Sequence, residues 1–372
     1  MVKLLSIGTA LPAGLMRQDQ AFTQAQFYNC TTEREQRVLQ KLYQRTTIET
    51  RQTILGAELD SFYPRPGSAG DTTTYCPSGN GAADGGGQPG TAARMARYKE
   101  EVIPLAIAAA RQALDKVDMP ASRIGNLVTV SCTGFFAPGL DTELIQALSL
   151  PSSVSRTHVG FMGCHGAMNG LRIGSALAKE NQSLSLVVAA ELCSLHFQYG
   201  RKSDDILANA LFADGAAAAL LSASLETDTA AARYSLTASA SYLLPDSRQA
   251  MTWQIGDHGF FMTLDPEVPS LIRKHLAPWL REWLAQFNLT VETVGSWAVH
   301  PGGPRVLDAV EQALALAPPA LAPSREIFTR LGNMSSPTIL FIIERLVAQS
   351  AALPIVALAF GPGLTIEAAL FC

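Results

Sequence analysis

Val159-Gly-Phe-Met-Gly-Cys164-His-Gly-Ala-Met-Asn-Gly-Leu171 decides how the rest of this chain is read. A short apolar strand runs into Gly163-Cys164, and a helix of small residues follows at once, so the thiol belongs at a strand-to-helix corner. Unpaired N–H groups and the positive end of a helix dipole favour an anion there, which predicts a lowered cysteine pKa. Gly166, Gly170 and Gly174 recur at i, i+4 spacing and leave one helix face nearly bare for close packing, so the helix is expected to be central and buried.

Outward from this corner the same grammar recurs. Asn126 to Val130 reads as a buried strand entering Ser131-Cys132-Thr133-Gly134, and Leu184-Ser-Leu-Val-Val-Ala-Ala as a strand covered on both faces. Leu211-Phe212-Ala-Asp-Gly-Ala-Ala-Ala-Ala-Leu-Leu reads as another such strand, introduced by an Asp-Gly turn, with Gln198 to Asp205 a surface loop before it. Near the C-terminus, Leu353-Pro-Ile-Val-Ala-Leu-Ala-Phe, a Gly361-Pro-Gly363 turn and Leu364-Thr-Ile-Glu-Ala-Ala-Leu-Phe form a second closing strand pair. This repetition suggests an internally duplicated α/β chain with a boundary between Ser222 and Ala232, giving halves 1–225 and 226–372.

The second half carries two more polar residues at strand or loop ends. Ser296-Trp-Ala-Val-His300-Pro-Gly-Gly-Pro-Arg-Val-Leu is a strand ending in histidine, a glycine turn, and a helix with Pro304 in its first turn. Leu331-Gly-Asn333-Met-Ser-Ser-Pro-Thr-Ile-Leu-Phe repeats the plan, with Ser336 the expected N-cap and Pro337 the first helical residue. Cys164, His300 and Asn333 can therefore converge on one side of a sheet, where helix N-termini point at one ligand.

Composition removes whole classes of function. The 372 residues are 48% hydrophobic, enough for a large core, with 28 basic and 32 acidic residues for a net charge of −4 and no basic stripe. Nucleic-acid binding has no electrostatic footprint. The six cysteines form no CxxC pair, which argues against a zinc site or disulfide framework, so no metal is expected and a reducing cytoplasm is the simplest setting. The first apolar run is broken by Ser6, Gly8 and Pro12, so it reads as a strand, not a signal peptide, and no run reaches the roughly 20 residues of a membrane helix. Gln18 to Arg51 reads as polar helix, Gly56 to about Gly90 as a Gly/Pro/Ser-rich insertion, and Tyr98 to Val117 as an amphipathic helix.

The Gly-Cys164 corner, Leu-Phe212-Ala-Asp-Gly, His300-Pro-Gly-Gly-Pro, Gly-Asn333-Met-Ser-Ser and Gly361-Pro-Gly-Leu-Thr-Ile-Glu together resemble the type III polyketide synthases, the chalcone-synthase-like branch of the thiolase superfamily, and bacterial members in particular. The motifs span Leu127 to the C-terminus. The resemblance implies a duplicated αβαβα thiolase-like fold, a homodimer, and iterative decarboxylative condensation of malonyl-CoA onto an acyl-CoA starter, with cyclisation to a pyrone or hydroxylated aromatic. It implies no cofactor, since the CoA thioesters are substrates. Cys164, His300 and Asn333 would be the catalytic residues. Phe212 and Met262 would stand at the throat between CoA tunnel and cavity. Cys132, Cys193, His196, Trp253 and Gly363 would contact substrate, and Ala137 would approach the partner subunit. Arg45, Arg51 and Arg305 are the candidates for CoA phosphates.

The nearest alternative is a ketoacyl-synthase-III-like enzyme, which shares Cys, His and Asn but takes malonyl from a carrier protein. The His-Pro-Gly-Gly-Pro and Gly-Pro-Gly motifs favour the polyketide branch. A papain-like hydrolase also orders Cys, His, Asn, yet nothing here supplies its local signature. A catalytically silent binding protein on the same scaffold is disfavoured by the intact trio.

Overall fold

The computed structural model describes residues 1–65, 87–223 and 233–372. The 225/226 boundary and most of the 56–90 insertion fall outside the described residues. In chain order the first half contains β1 (Val2–Ala10), β2 (Gly14–Arg17), α1 (Gln18–Asn29), α2 (Glu33–Arg45), β3 (Thr50–Thr53), α3 (Leu59–Phe62), α4 (Thr91–Asp115), β4 (Ile124–Ser131), α5 (Leu140–Leu148), β5 (Ser155–Gly160), α6 (Gly166–Asn181), β6 (Leu184–Leu192), α7 (Ser203–Leu211) and β7 (Asp214–Ser222). The second half contains β8 (Tyr234–Leu243), β9 (Met251–Gly256), β10 (Gly259–Leu264), α8 (Val268–Ala285), β11 (Ser296–Val299), α9 (Pro304–Leu314), α10 (Ala322–Leu331), α11 (Thr338–Ala348), β12 (Ile355–Gly361) and β13 (Thr365–Phe371).

Nine strands make one sheet in the order β11-β12-β13-β8-β1-β7-β6-β4-β5. Read outward from the antiparallel β8–β1 joint, each side runs first strand, last strand, penultimate strand, then strands from mid-half, so the two halves are built alike. The period-two alternation of the buried strands splits the core into layers. On β6, Val187 and Ala189 face a central cluster with α6 and α11, while Leu186, Val188 and Ala190 face α4 and α5. On β12, Ile355, Ala357 and Ala359 join the central cluster, while Val356, Leu358 and Phe360 face α8 and α9. The result is a five-layered α-β-α-β-α arrangement of the thiolase type, with α6 and α11 inside.

The bare face of α6 packs on its own half-sheet. A Cβ at Gly170 would sit 2.8 Å from Val130 Cγ2 and 2.9 Å from Val187 Cγ1, and one at Gly174 would sit 2.7 Å from Val187 Cγ2. Glycine there lets the helix lie on the branched residues of β4 and β6 with no room for a methyl group.

Several local expectations are corrected. Gln18 to Arg51 is two helices and a short strand, not one helix, because Thr32 starts a new capping box with Glu35. Ser203 begins a helix inside the segment read as loop. Leu211 ends that helix, so Phe212 lies between helix and strand, and Asp214-Gly215 opens β7 without a turn. Helix α11 starts at Thr338 with Pro337 at its N-cap, so Ser336 is not the cap and its hydroxyl is committed elsewhere. Among the described residues, no helix is long and apolar enough to cross a membrane.

Candidate active site

Cys164 occupies the corner between β5 and α6. Phe161 (φ 60°) and Gly163 (φ 71°) take left-handed backbone to turn the chain, and a Cβ at Gly163 would lie 2.6 Å from Pro362 Cδ. One turn of 3-10 helix, Gly163–His165, separates the thiol from α6. Here the expected lowering of the thiol pKa is overturned: burial pushes Cys164 up to about 11. The Ser335 and Asn333 side chains pull toward the thiolate, while the charge of Glu191 opposes it. Standing ahead of α6, the sulfur gains too little from the helix end to offset its desolvation. The resting group is a thiol.

Asn333 is pinned by backbone. Its N–H donates to Leu211 O at 2.9 Å and its carbonyl accepts from Ala213 N–H at 2.9 Å, a parallel bridge beside Phe212. Its side-chain Oδ1 accepts from Ser335 N–H at 2.8 Å, so the amide NH2 is the part that faces Cys164.

His300 follows β11 and is fully buried; its N–H donates to Leu358 O at 2.8 Å. Neither ring nitrogen has a hydrogen-bond partner. Burial, reinforced by the charge of His165, pulls its pKa down to about 3, so the imidazole is neutral. His165, next to Cys164, is seated by Gly361 on β12, where a Cβ would come within 2.3 Å of His165 Cδ2. His165 shares a 2.8 Å hydrogen bond with Asn169 Oδ1, and Asn169 Nδ2 donates to Glu367 Oε1 at 3.0 Å. Residues of β12 and the turn after it thus link the His300 strand to the Cys164 corner.

A cavity of about 350 Å³ opens at Cys164, walled by Cys132, Cys193, Phe212, Trp253, Met262 and Ser335, among others. Trp253 Nε1 donates to Cys132 O at 2.7 Å, and Met262 pairs with Trp253 across the β9–β10 hairpin. His196 lines the adjoining cavity of about 800 Å³, its Nδ1 accepting from Phe260 N–H at 2.9 Å and its Nε2 bonding Thr133 O at 2.6 Å. One expected substrate contact is corrected. Gly363 is off the wall; its N–H and carbonyl are tied to Met251 and Ser247, and its neighbour Pro362 lines the cavity instead.

Of the three arginines, Arg51 is corrected as well. It is buried, and its Nη1 donates to Asn209 O at 2.6 Å and Phe212 O at 2.8 Å, so it cannot reach a phosphate in solvent. Arg45 and Arg305 are exposed.

Sequence reasoning missed Glu191. This fully buried carboxylate accepts from Ser131 Oγ, Cys132 N–H, Thr133 N–H, Thr133 Oγ1 and Ser336 Oγ at 2.5–3.2 Å. It joins the loop after β4 to the loop before α11, and so locates Ser335 and Asn333 against Cys164. Its one visible signal was an acid closing an otherwise apolar strand.

Buried imidazoles also make stability depend on pH. His196 and His300 stay neutral in the fold down to about 3, whereas the unfolded chain protonates them near 6.5. The unfolded state therefore binds more protons below about 6.5, and stability is lost as pH falls through that value. Asp214, raised to about 6 by burial, acts in the opposite sense only between 3.8 and 6. The melting temperature is expected to fall between about pH 7.5 and 6, and His196→Gln to flatten that fall. An unchanged slope in the variant would contradict it.

Comparisons with known proteins place the chain in a family. Residues 80–224 match the N-terminal domain model of the chalcone and stilbene synthases, and residues 235–372 match the C-terminal domain model. The alpha-pyrone synthesis polyketide synthase-like Pks18 of Mycobacterium tuberculosis is 30% identical over 375 residues, covering 98% of this chain and 89% of the relative. The 1,3,6,8-tetrahydroxynaphthalene synthase of Streptomyces peucetius is 35% identical over 269 residues, 71% of each. Among solved structures, PKS-I of the brown alga Ectocarpus siliculosus superposes with a TM-score of 0.88 at 29% identity, covering 100% of this chain and 97% of that one. With its five-layered fold and its Cys, His and Asn loops placed at one end of the sheet, the chain belongs to the chalcone and stilbene synthase family and is a type III polyketide synthase.

Proposed function

We propose that this enzyme loads an acyl-CoA starter onto Cys164, extends it with malonyl-CoA, and releases a pyrone or a hydroxylated aromatic. The two relatives named for α-pyrone and tetrahydroxynaphthalene synthesis support that product range. The observation that carries the reading is His300, a buried neutral imidazole whose two ring nitrogens have no partner, together with an Asn333 whose NH2 faces Cys164. A buried polar group without a partner asks for an explanation, and an absent substrate supplies one.

The thiol of Cys164 cannot attack until it loses its proton, and the lone pair of His300 can take it as the sulfur adds to the starter thioester. CoA leaves as its thiol with that proton. Malonyl-CoA then places its thioester oxygen against the His300 N–H and Asn333 NH2. Loss of carbon dioxide leaves an enolate whose charge those donors stabilise, and its carbon attacks the acyl-Cys164 carbonyl. The bond to Cys164 sulfur breaks, the thiolate regains its proton, and the lengthened chain is left on the CoA of the attacking unit; its transfer back to Cys164, with release of CoA, starts the next round.

Phe212 and Met262 would form the throat of the cavity, and Arg45 and Arg305, both exposed, would meet the CoA phosphates. No cofactor is required by these steps. We also infer a homodimer in the cytoplasm, each chain being divided into halves 1–225 and 226–372. Strand β5 is a sheet edge, and exposed Phe135, Ala137 and Met162 lie on the loops beside it, a surface suited to a second copy. A monomeric mass by light scattering would overturn the dimer. The chemistry is tested by giving the enzyme malonyl-CoA and a panel of acyl-CoA starters: carbon dioxide release and chain growth on CoA support it, and a requirement for protein-bound malonyl would sink it.

A further inference from the structure

One residue of the Asn333 loop, Ser335, has no part in the steps above. Its backbone is left-handed (φ 57°), a conformation that glycine adopts freely and residues with a side chain rarely. Three contacts hold it there. Its N–H donates to Asn333 Oδ1 at 2.8 Å, its carbonyl accepts from Thr338 N–H at 3.2 Å, and the next residue, Ser336, is tied to Glu191. The side chain thereby joins the wall of the cavity at Cys164, where Ser335 is 3% exposed. Its hydroxyl lies 3.2 Å from Cys132 Sγ and is also within hydrogen-bonding reach of the Cys164 sulfur. One hydroxyl therefore serves two sulfurs.

The surroundings of Cys164 make that single hydrogen matter. Glu191 at the end of β6, Cys132 after β4 and Cys193 after β6 all act on the sulfur, and the negative charge of each, when ionised, opposes a thiolate. Burial holds the imidazoles of His165 and His300 toward the neutral form, so neither brings a positive charge to the resting site. Hydrogen bonds then have to support the anion, and Ser335 and Asn333 are the side chains that supply them. In the proposed mechanism the Asn333 NH2 turns to the malonyl thioester oxygen. The Ser335 hydroxyl is the donor that stays with sulfur. Its choice between the two sulfurs follows from charge. Burial and Glu191 keep Cys132 a thiol, and a neutral sulfur is a weak acceptor. A thiolate at Cys164 accepts far more strongly, so the hydroxyl hydrogen goes to it.

We propose that Ser335 is a further catalytic residue, whose hydroxyl donates to Cys164 Sγ whenever that sulfur carries negative charge. This occurs twice in each round. The S–H proton leaves for His300 as the sulfur adds to a thioester, and later the C–S bond of the acyl-enzyme breaks and its electron pair returns to sulfur. The left-handed backbone of Ser335 is kept because it carries Oγ to that position. The inference rests on the polyketide synthase reading and adds a residue to its chemistry.

The test measures how fast iodoacetamide alkylates Cys164, read by peptide mass so that Cys132 and Cys193 are counted apart. In Ser335→Ala the thiolate fraction is expected to fall about 10-fold, the size of a hydrogen bond to a charged group, and alkylation at about pH 8 to slow about 3-fold, because a more basic sulfur is intrinsically more reactive. Ser335→Gly, which suits the positive φ, should slow as much without a lower melting temperature. Polyketide formation should drop about 10-fold in both variants. Decarboxylation of malonyl-CoA should stay within about 2-fold of the wild type, since the backbone N–H that orients Asn333 is kept. Wild-type alkylation rates in both variants would overturn the proposal. So would decarboxylation falling in step with alkylation, which would trace the effect to a displaced loop. Absence of carbon dioxide release and chain growth with every starter would defeat the polyketide reading, while the alkylation rates, which need no substrate, would still decide the role of Ser335.

Discussion

A Cys164→Ala enzyme is expected to form no polyketide while still releasing carbon dioxide from malonyl-CoA, and an Asn333→Ala enzyme to lose decarboxylation itself by about 100-fold or more. The two steps separate because they need different groups. Decarboxylation requires only that the thioester oxygen be held by donors as it becomes an enolate, and in the proposed mechanism those donors are the NH2 of Asn333, whose Oδ1 is taken by Ser335 N–H, and the ring N–H of His300. Chain growth also requires an acyl group held covalently beside that enolate, which only the thiol provides. His300→Ala should impair both, since in the proposed mechanism the same imidazole serves as base to a thiol that burial has made hard to ionise and as donor to the enolate. Acetyl-CoA and carbon dioxide release, measured beside product yield for each variant, decide the matter. Condensation by Cys164→Ala, or normal decarboxylation by Asn333→Ala, would refute the division of labour.

Glu191→Ala should be among the most damaging substitutions for the fold. The carboxylate takes bonds from five donors on two loops, three of them on Cys132 and Thr133 and one on Ser336 across the interface between the halves. Burial raises its pKa while those donors work to keep it ionised. Removing it strands buried N–H and O–H groups that water cannot reach. Each costs about 1–3 kcal/mol, so a loss of about 3–5 kcal/mol is expected even if some find new partners. In a chain of 372 residues that is a fall of about 4–6 °C in melting temperature. Glu191→Gln, which keeps the volume and one acceptor, should fall between. Calorimetry of the three proteins checks the order, and a Glu191→Ala protein melting with the wild type would show that the network carries no weight.

Both predictions join something legible in the chain to something that is not. The corner at Cys164 was readable because Gly163 and the glycines of α6 have a physical meaning in one dimension: a positive φ, and a helix face that must approach branched residues. The duplicated strand pairs were readable because strands buried on both faces are apolar without interruption. His300 and Asn333 were readable as polar residues at the ends of their elements, and the family that their motifs resemble is the one whose models match.

Tertiary structure decided the rest. The state of the thiol depends on how much water surrounds it, which no local spacing reports, and burial outweighed the helix end that the local sequence promised. Arg51 looked like a surface cation in a basic run, yet the turn into β3 buries it against the α7–β7 junction, where backbone carbonyls 158 and 161 residues away receive it. Glu191 and Ser336 stand 145 positions apart and meet only because the two halves close on α6 and α11. Sequence by itself determined which backbone could turn, pack closely or lie buried, because those are properties of a residue and its near neighbours. Desolvation, counter-ions and the walls of the two cavities were decided by distant segments, whose distance along the chain carries no trace of their contact.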